Sequence, residues 1–105
     1  MSNILHYSKL ALLDLEEIQE YILAESCSLD IAENIVEKIL STAELLTDFS
    51  EIGSRLDSFV PFHSDYRVLT AQKYLIFYRV SDNKIYIDRI LHSRRNYIRI
   101  LFGEI

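Results

Sequence analysis

The fold is decided by two runs of sequence and the pair between them: YLIFYRVS at residues 74–81, DN at 82–83 and KIYIDRILH at 84–92. Both runs are rich in β-branched and aromatic residues, which favour strands. The pair at 82–83 tolerates the positive φ that a two-residue hairpin turn requires. The sequence therefore predicts an antiparallel hairpin in which the turn sets the register and Phe77 lies opposite Asp88.

This register divides the hairpin into two faces, because side chains alternate across a strand. The more aliphatic face is expected to lie beneath helices: Ile76, Tyr78, Val80, Ile85, Ile87, Arg89 and Leu91. The other mixes apolar and charged side chains and is expected to be a partly open, functional surface: Leu75, Phe77, Arg79, Tyr86, Asp88, Ile90 and His92. Arg89 is expected to be a structural arginine that reaches a carboxylate or a carbonyl.

Upstream, a short strand at residues 3–7 precedes two helical patterns, at residues 8–25 and 28–48. Ser8 and Ser28 are the expected N-caps. Apolar residues recur at helical spacing and predict one buried stripe in each helix. The stripes are Ala11, Leu15, Ile18 and Ile22 in the first helix, and Ile31, Ile35, Ile39, Ala43 and Leu46 in the second. Two antiparallel amphipathic helices must cover a sheet.

Residues 49–65 contain the one proline and predict a long irregular connection, in which Gly53 is expected to adopt a conformation that larger residues resist. Residues 66–70 predict another strand, and residues 97–102 a short last helix capped by Asn96. The predicted fold is a single α/β (α+β) domain over residues 1–105. It has an N-terminal strand, a two-helix hairpin packed on a mostly antiparallel sheet of about four strands, and a short C-terminal helix.

Composition places limits on location and partners. No apolar run approaches the roughly 18 residues that span a bilayer, and no export signal stands at the N-terminus. Cys27 is the only cysteine, which fits a reducing compartment, so we expect a cytoplasmic protein without membrane contact. The net charge of −5 is divided unevenly. Residues 1–65 hold three Lys/Arg against thirteen Asp/Glu, whereas residues 66–105 hold eight against three. The basic part suits an anionic partner.

The candidate chemistry lies at the end of the last strand. The three histidines, His6, His63 and His92, fall on separate elements without metal-ligand spacing, so we expect no metal and no cofactor. Arg94 and Arg95 follow the strand and precede a helix, and the planar guanidinium fork suits carboxylate or phosphate. His92 beside them is either a proton-transfer group or a hydrogen-bonded structural histidine.

The order of these pieces resembles the RelE/ParE superfamily of bacterial type II toxins. The resemblance rests on YLIFYRV, a short polar turn and RILHSRRN at residues 89–96, together with SKLA at 8–11, DLEEI at 14–18 and FSEIG at 49–53. It implies a growth-inhibiting toxin of the kind linked to plasmid stabilisation. It also implies a cognate antitoxin, and a homodimer or a toxin–antitoxin hetero-oligomer.

The superfamily has two branches, and the resemblance is closer to the ParE-like one. RelE-like members cut mRNA on the ribosome with basic residues on the second and third strands and near the end of the fourth. Arg67 and Arg94 keep two of those positions, but Leu69 and Leu75 replace basic groups. ParE-like members are associated with inhibition of DNA gyrase. That mechanism assigns target contact to Arg94, Arg95, Tyr97 and Arg99.

Two alternatives remain open. A ribosome-dependent mRNA endonuclease would use Arg67, Arg79, His92 and Arg94, and a non-toxic relative would serve only as a partner-binding module. The antitoxin-binding surface is expected to include apolar side chains of the first helix and of the mixed hairpin face. These are Leu10, Leu12, Leu13, Phe77 and Tyr86.

Overall fold

A computed structural model describes residues 2–103. The chain forms β1 (Ile4–Tyr7), α1 (Lys9–Ser26), α2 (Leu29–Glu44), β2 (Ser54–Arg55), β3 (Arg67–Ala71), β4 (Tyr74–Ser81), β5 (Lys84–His92) and α3 (Tyr97–Phe102). The strands make one sheet in the order β1-β5-β4-β3-β2, in which β1 runs parallel to β5 and the other pairs are antiparallel. The predicted α+β architecture is confirmed. The fifth strand, β2, lies inside the connection expected to be irregular.

The helix pair forms largely as its sequence predicts. Ser8 caps α1 by accepting from the amide of Ala11 at 3.0 Å, and Ser28 caps α2 by accepting from Ile31 at 3.2 Å. The two stripes pack on one face of the sheet, and we call the result the helix-side core. The prediction fails at Ile31, whose side chain is half exposed because it lies in the first turn of α2, beyond the edge of this core.

The hairpin departs from its predicted register at a β-bulge. From Ser81↔Lys84 to Tyr78↔Ile87 the pairs follow the prediction, but Phe77 lies opposite Arg89. Asp88 is therefore an extra residue on β5, with no partner of its own on β4. A bulge of this kind moves every later side chain of the strand to the other face.

The bulge corrects three assignments. Ile90, expected on the open face, packs in the helix-side core. His92, also expected on the open face, lies edge-on to Tyr74 of that core, with the ring centroids 5.3 Å apart. Leu91, expected under the helices, packs on the opposite face. The cause in each case is the one inserted residue, which sequence alternation does not reveal.

The face predicted to be partly open carries a second core beneath α3. Leu56, Val60, Phe77 and Leu91 are buried there, with Tyr97 and other residues of α3 packed against them. Phe77 is 0% exposed and its ring lies 5.3 Å from that of Tyr97. The prediction that Phe77 contributes to a partner surface is therefore wrong for this conformation, because α3 covers the ring.

Gly53 is required for space and not for its φ. Its φ lies outside the positive region, contrary to expectation. A Cβ atom at Gly53 would lie 2.6 Å from the Tyr78 hydroxyl and 2.7 Å from the carbonyl oxygen of Val68. The hydroxyl of Tyr78 accepts from the Gly53 amide at 3.1 Å and donates to the Ser50 carbonyl at 2.9 Å. Tyr78 thereby fixes the connection to the sheet.

A buried ion pair joins α1 to the edge of β5. Asp14, 5% exposed, receives two hydrogen bonds from Arg89, Nε to Oδ2 at 2.8 Å and Nη2 to Oδ1 at 2.9 Å. The amide of Ile90 also donates to Asp14 Oδ2 at 3.0 Å. Arg89 is thus the structural arginine that the sequence predicts, and its carboxylate is Asp14.

We expect Arg89→Ala to lower the free energy of unfolding by about 3 kcal/mol, because it leaves the Asp14 carboxylate buried without its counter-charge. Arg79→Ala is the matched control. Arg79 pairs with the neighbouring bulge residue, Asp88, but half of its side chain is exposed, so its loss should cost less than about 1 kcal/mol. Urea denaturation measures both values. Equal losses would contradict the proposed importance of the Asp14 pair.

Candidate functional site

The turn that leaves β5 is held by three backbone amides. The Ser93 amide donates to the carbonyl of Lys73 at 2.9 Å, which ties this turn to the one between β3 and β4. The Arg94 amide donates to Nδ1 of His92 at 3.1 Å, and the Arg95 amide donates to the carbonyl of His92 at 2.9 Å. Arg94 and Arg95 therefore project from a turn whose backbone is held by these hydrogen bonds.

Arg94 and Arg95 are exposed at this turn. Within residues 2–103 neither guanidinium forms an ion pair. Two neighbouring guanidinium groups without internal partners can donate several parallel hydrogen bonds to carboxylates or phosphates of another molecule.

The helix that follows is anchored by its aromatic side chains. Asn96 caps α3 by accepting from the amide of Arg99 at 3.3 Å, as the sequence predicts. Tyr97 is partly buried over Phe77, whereas Arg99 is exposed at the last turn. Phe102 packs edge-on against Phe62, with ring centroids 5.0 Å apart. Of the predicted target contacts, Tyr97 is thus mainly a packing residue of the second core.

A cleft of about 460 Å³, here called the exit cleft, lies between α1 and the end of β5. Ile18, Tyr21, Tyr74 and Ile90 supply apolar and aromatic surface. Its charged and polar lining is Asp14, Glu17, His92, Arg94 and Arg95. Since Asp14 is paired with Arg89, the cleft presents an apolar floor beside two exposed cations and the exposed carboxylate of Glu17.

A second cleft, of about 680 Å³, lies near the start of β3 and is here called the arginine cleft. Its lining includes Glu51, Arg55, His63, Tyr66, Arg67, Arg79 and Tyr86. Most of its cations already have partners. Arg79 Nε donates to Asp88 at 2.7 Å, which raises the pKa of Arg79, and its Cζ lies 5.7 Å from the Tyr86 ring centroid.

The other arginines of this cleft are also engaged. Arg67 Nη2 donates to the carbonyls of Glu51 and Gly53 at 3.0 and 2.7 Å. Arg55 donates to Asp57 at 2.7 Å and is the main cause of the lowered pKa of that carboxyl. His63 is exposed in the connection, and its Nδ1 lies 3.3 Å from Oδ2 of Asp57. Each of the three arginines of this cleft therefore already donates hydrogen bonds within the protein.

The candidate nuclease residues are divided between the two clefts. Arg67 and Arg79 line the arginine cleft, whereas His92 and Arg94 line the exit cleft. The two leucines at the positions of missing cations are packing residues. Leu69 contacts the helix-side core and Leu75 the second core. The structure does not bring the four residues into one site.

The predicted partner surface on α1 is exposed. Leu10, Leu12 and Leu13 are 54%, 53% and 49% exposed. Tyr86 is only partly exposed and stacks on His6, with ring centroids 5.4 Å apart. The three leucines remain candidates for a partner contact, with a smaller contribution from Tyr86.

Sequence reasoning missed the lining of the arginine cleft and the contact between Lys73 and the β5 exit. Arg55, His63 and Asp65 of this lining lie in the irregular connection, where no periodic pattern marks spatial neighbours. Within residues 2–103, no group of three or more His, Cys, Asp or Glu side chains is placed to hold a metal ion. No helix in this described part is long and apolar enough to cross a membrane.

Comparison with known proteins gives two positive results. The family model described as the ParE toxin of type II toxin–antitoxin system, parDE, matches residues 5–97. A solved structure described as the chromosomal ParDE TA system from P. aeruginosa superposes with a TM-score of 0.72 at 24% sequence identity. The match covers 87% of this chain and 96% of that one, which supports the fold. The curated proteins contain no significant sequence match.

Proposed function

This chain belongs to the ParE toxin family of type II toxin–antitoxin systems, and we propose that it inhibits growth by binding DNA gyrase. A cognate antitoxin neutralises it in this proposal. The observation that carries the choice of target is the division of basic residues between two clefts. It leaves a pair of exposed arginines at the β5 exit, and it does not bring the four candidate nuclease residues together in one site for RNA cleavage.

The charge requirement of RNA cleavage argues against the nuclease alternative. Attack by a 2′-hydroxyl develops negative charge on the phosphoryl oxygens, and one preorganised donor there is worth roughly 10²–10³ in rate. Leu69 and Leu75 cannot donate a hydrogen bond. Arg79, the nearest cation on β4, is already held by Asp88 at 2.7 Å. Arg67 alone cannot replace that set of donors.

Binding to a protein target makes different demands. Arginines are frequent among the side chains that dominate interface energies, and they need a buried or partly apolar setting to be effective. Arg94 and Arg95 border the apolar floor of the exit cleft, and α3 follows directly, with Arg99 exposed at its last turn. This combination supports a protein interface that includes the β5 exit.

The surface of α1 supports the antitoxin part of the proposal. Leu10 and Leu13 lie one helical turn apart and are about half exposed. Leu12 adds a third exposed leucine. A segment with apolar residues would cover this surface, and acidic residues on the same segment would complement the unpaired arginines at the β5 exit.

We expect the double substitution Arg94→Ala with Arg95→Ala to weaken growth inhibition by about 100-fold, because two interface arginines worth about 1.4 kcal/mol each would together lower the affinity by that factor. The free energy of unfolding should change by less than about 0.5 kcal/mol, because both side chains are exposed. Induction in growing cells and urea denaturation measure the two quantities.

The matched control is Lys38→Ala with Lys84→Ala, which removes the same charge from exposed positions elsewhere. It should leave growth inhibition unchanged. A toxic arginine double variant, or one that unfolds, would remove Arg94 and Arg95 from the target surface.

We expect the purified protein to inhibit DNA supercoiling by gyrase and to leave mRNA uncut in a reconstituted translation system. Two missing donors would slow cleavage by the order of 10⁴ or more if their effects were additive. A supercoiling assay and primer extension, with Leu75→Arg alongside, measure both activities. Efficient codon-dependent cleavage by the unmodified protein would favour the endonuclease and return Arg67, Arg79, His92 and Arg94 to catalytic roles.

We expect Leu10→Asp with Leu13→Asp to weaken antitoxin binding by roughly 30-fold or more, because both substitutions place a charge in an apolar contact. Titration with the product of the neighbouring reading frame measures the affinity. Leu29→Asp with Ile31→Asp is the control, since these residues are equally exposed at the start of α2. If no product of that reading frame binds even the wild type at micromolar concentration, the chain fits a non-toxic relative better.

A further inference from the structure

We propose that His92 is a positioning residue, which acts by accepting the Arg94 amide at Nδ1 and thereby fixes the backbone from which Arg94 and Arg95 project. The proposal rests on the proposed target contact of those two arginines. It assigns to His92 a role in binding through the geometry of the turn, without proton transfer.

The hydrogen bonds of the turn converge on His92. Two successive amides end on this one residue: Arg94 on the ring nitrogen at 3.1 Å and Arg95 on the carbonyl oxygen at 2.9 Å. The Ser93 amide donates to the carbonyl oxygen of Lys73 at 2.9 Å. Among the three amides, only that of Arg94 depends on a side chain for its partner.

The imidazole is itself held in place. Its ring lies edge-on to Tyr74, with centroids 5.3 Å apart and planes at 84°. Tyr74 is a buried member of the helix-side core. The β-bulge at Asp88 is what turns His92 toward this core. A ring fixed by the core therefore presents Nδ1 to the Arg94 amide in one orientation, which requires the tautomer with the proton on Nε2.

A fixed turn has a direct consequence for binding. Arginine side chains lose conformational freedom in an interface, and a mobile backbone beneath them would add to that loss. Ordering the backbone before the target arrives removes part of this cost. Loss of the acceptor at Nδ1 should therefore lower the affinity for the target.

Packing and acceptor roles make opposite predictions for two substitutions. His92→Phe keeps a ring against Tyr74 and removes the acceptor. His92→Asn removes the ring and retains an acceptor, Oδ1, at nearly the position of Nδ1. If His92 only packs, the Asn variant should be the more damaged. If His92 positions the turn, the Phe variant should be.

The experiment compares wild type, His92→Phe and His92→Asn in growth inhibition and in amide hydrogen exchange followed by NMR. We expect His92→Phe to weaken inhibition five- to tenfold, about the effect of one hydrogen bond, and to speed exchange of the Arg94 amide about tenfold. His92→Asn should stay within about twofold of wild type in both.

Normal exchange and potency in His92→Phe would overturn the proposal, as would an Asn variant that is as weak as the Phe variant. Exchange is measured on the isolated protein, so it decides whether His92 orders the turn even if the wild type proves non-toxic. A non-toxic wild type would contradict the proposed function, but it would not contradict the role of His92 in ordering the turn. If His92→Phe does not fold, His92→Leu supplies a second variant that lacks the acceptor.

Discussion

The structure depends on one carboxylate, that of Asp14, at the edge of β5. Strand β1 ends at Tyr7, opposite Ile87, so the edge of β5 beyond this point has no neighbouring strand. The buried amide of Ile90 would lack a partner there, and an unpaired buried amide costs about 1–3 kcal/mol. Asp14 accepts from that amide and from Arg89, which offsets the cost of burying its own charge. A helical side chain thus takes the place of a strand and docks α1 on the sheet.

The bulge makes this arrangement possible. Since Asp88 has no partner on β4, the consecutive residues Asp88 and Arg89 can form ion pairs with different elements of the structure. Asp88 pairs with Arg79 on the sheet face, and Arg89 reaches Asp14 on α1. The Ser8 hydroxyl donates to the carbonyl of Asp88 at 2.7 Å and also caps α1. The start of the helix and the irregularity of the strand are therefore fixed by the same contacts, and the strand emerges with Leu91 under α3 and His92 toward Tyr74.

Features that depend on residues close together in the sequence could be predicted, whereas features that depend on residues far apart in the sequence could not. Caps, helical stripes and the hairpin turn are local, so Ser8, Ser28 and Asn96 were assigned correctly from sequence. The bulge occurs beside a contact between Asp14 and residues 75 or 76 positions later, and the alternation along β5 contains no sign of either. Gly53 is a similar case, since its space is limited by Tyr78, a residue 25 positions away. The same bulge makes the site prediction wrong, because it places His92 on the helix side of the sheet and not on the open face.

The excess of basic residues in the last part of the sequence does not by itself locate a binding surface, because several of these residues have partners inside the protein. The basic part of the chain, residues 66–105, is not a uniformly positive surface. Arg67 is held by two backbone carbonyls, Arg79 by Asp88 and Arg89 by Asp14. Each of these is committed to holding the sheet, the connection or a helix. Arg94 and Arg95 have no such partner within residues 2–103, and they stand together at the point where β5 ends. A scaffold that pairs Arg79 and Arg89 with carboxylates, holds Arg67 on carbonyls and leaves Arg94 and Arg95 exposed at one turn supports the proposal that this turn recognises the surface of another molecule.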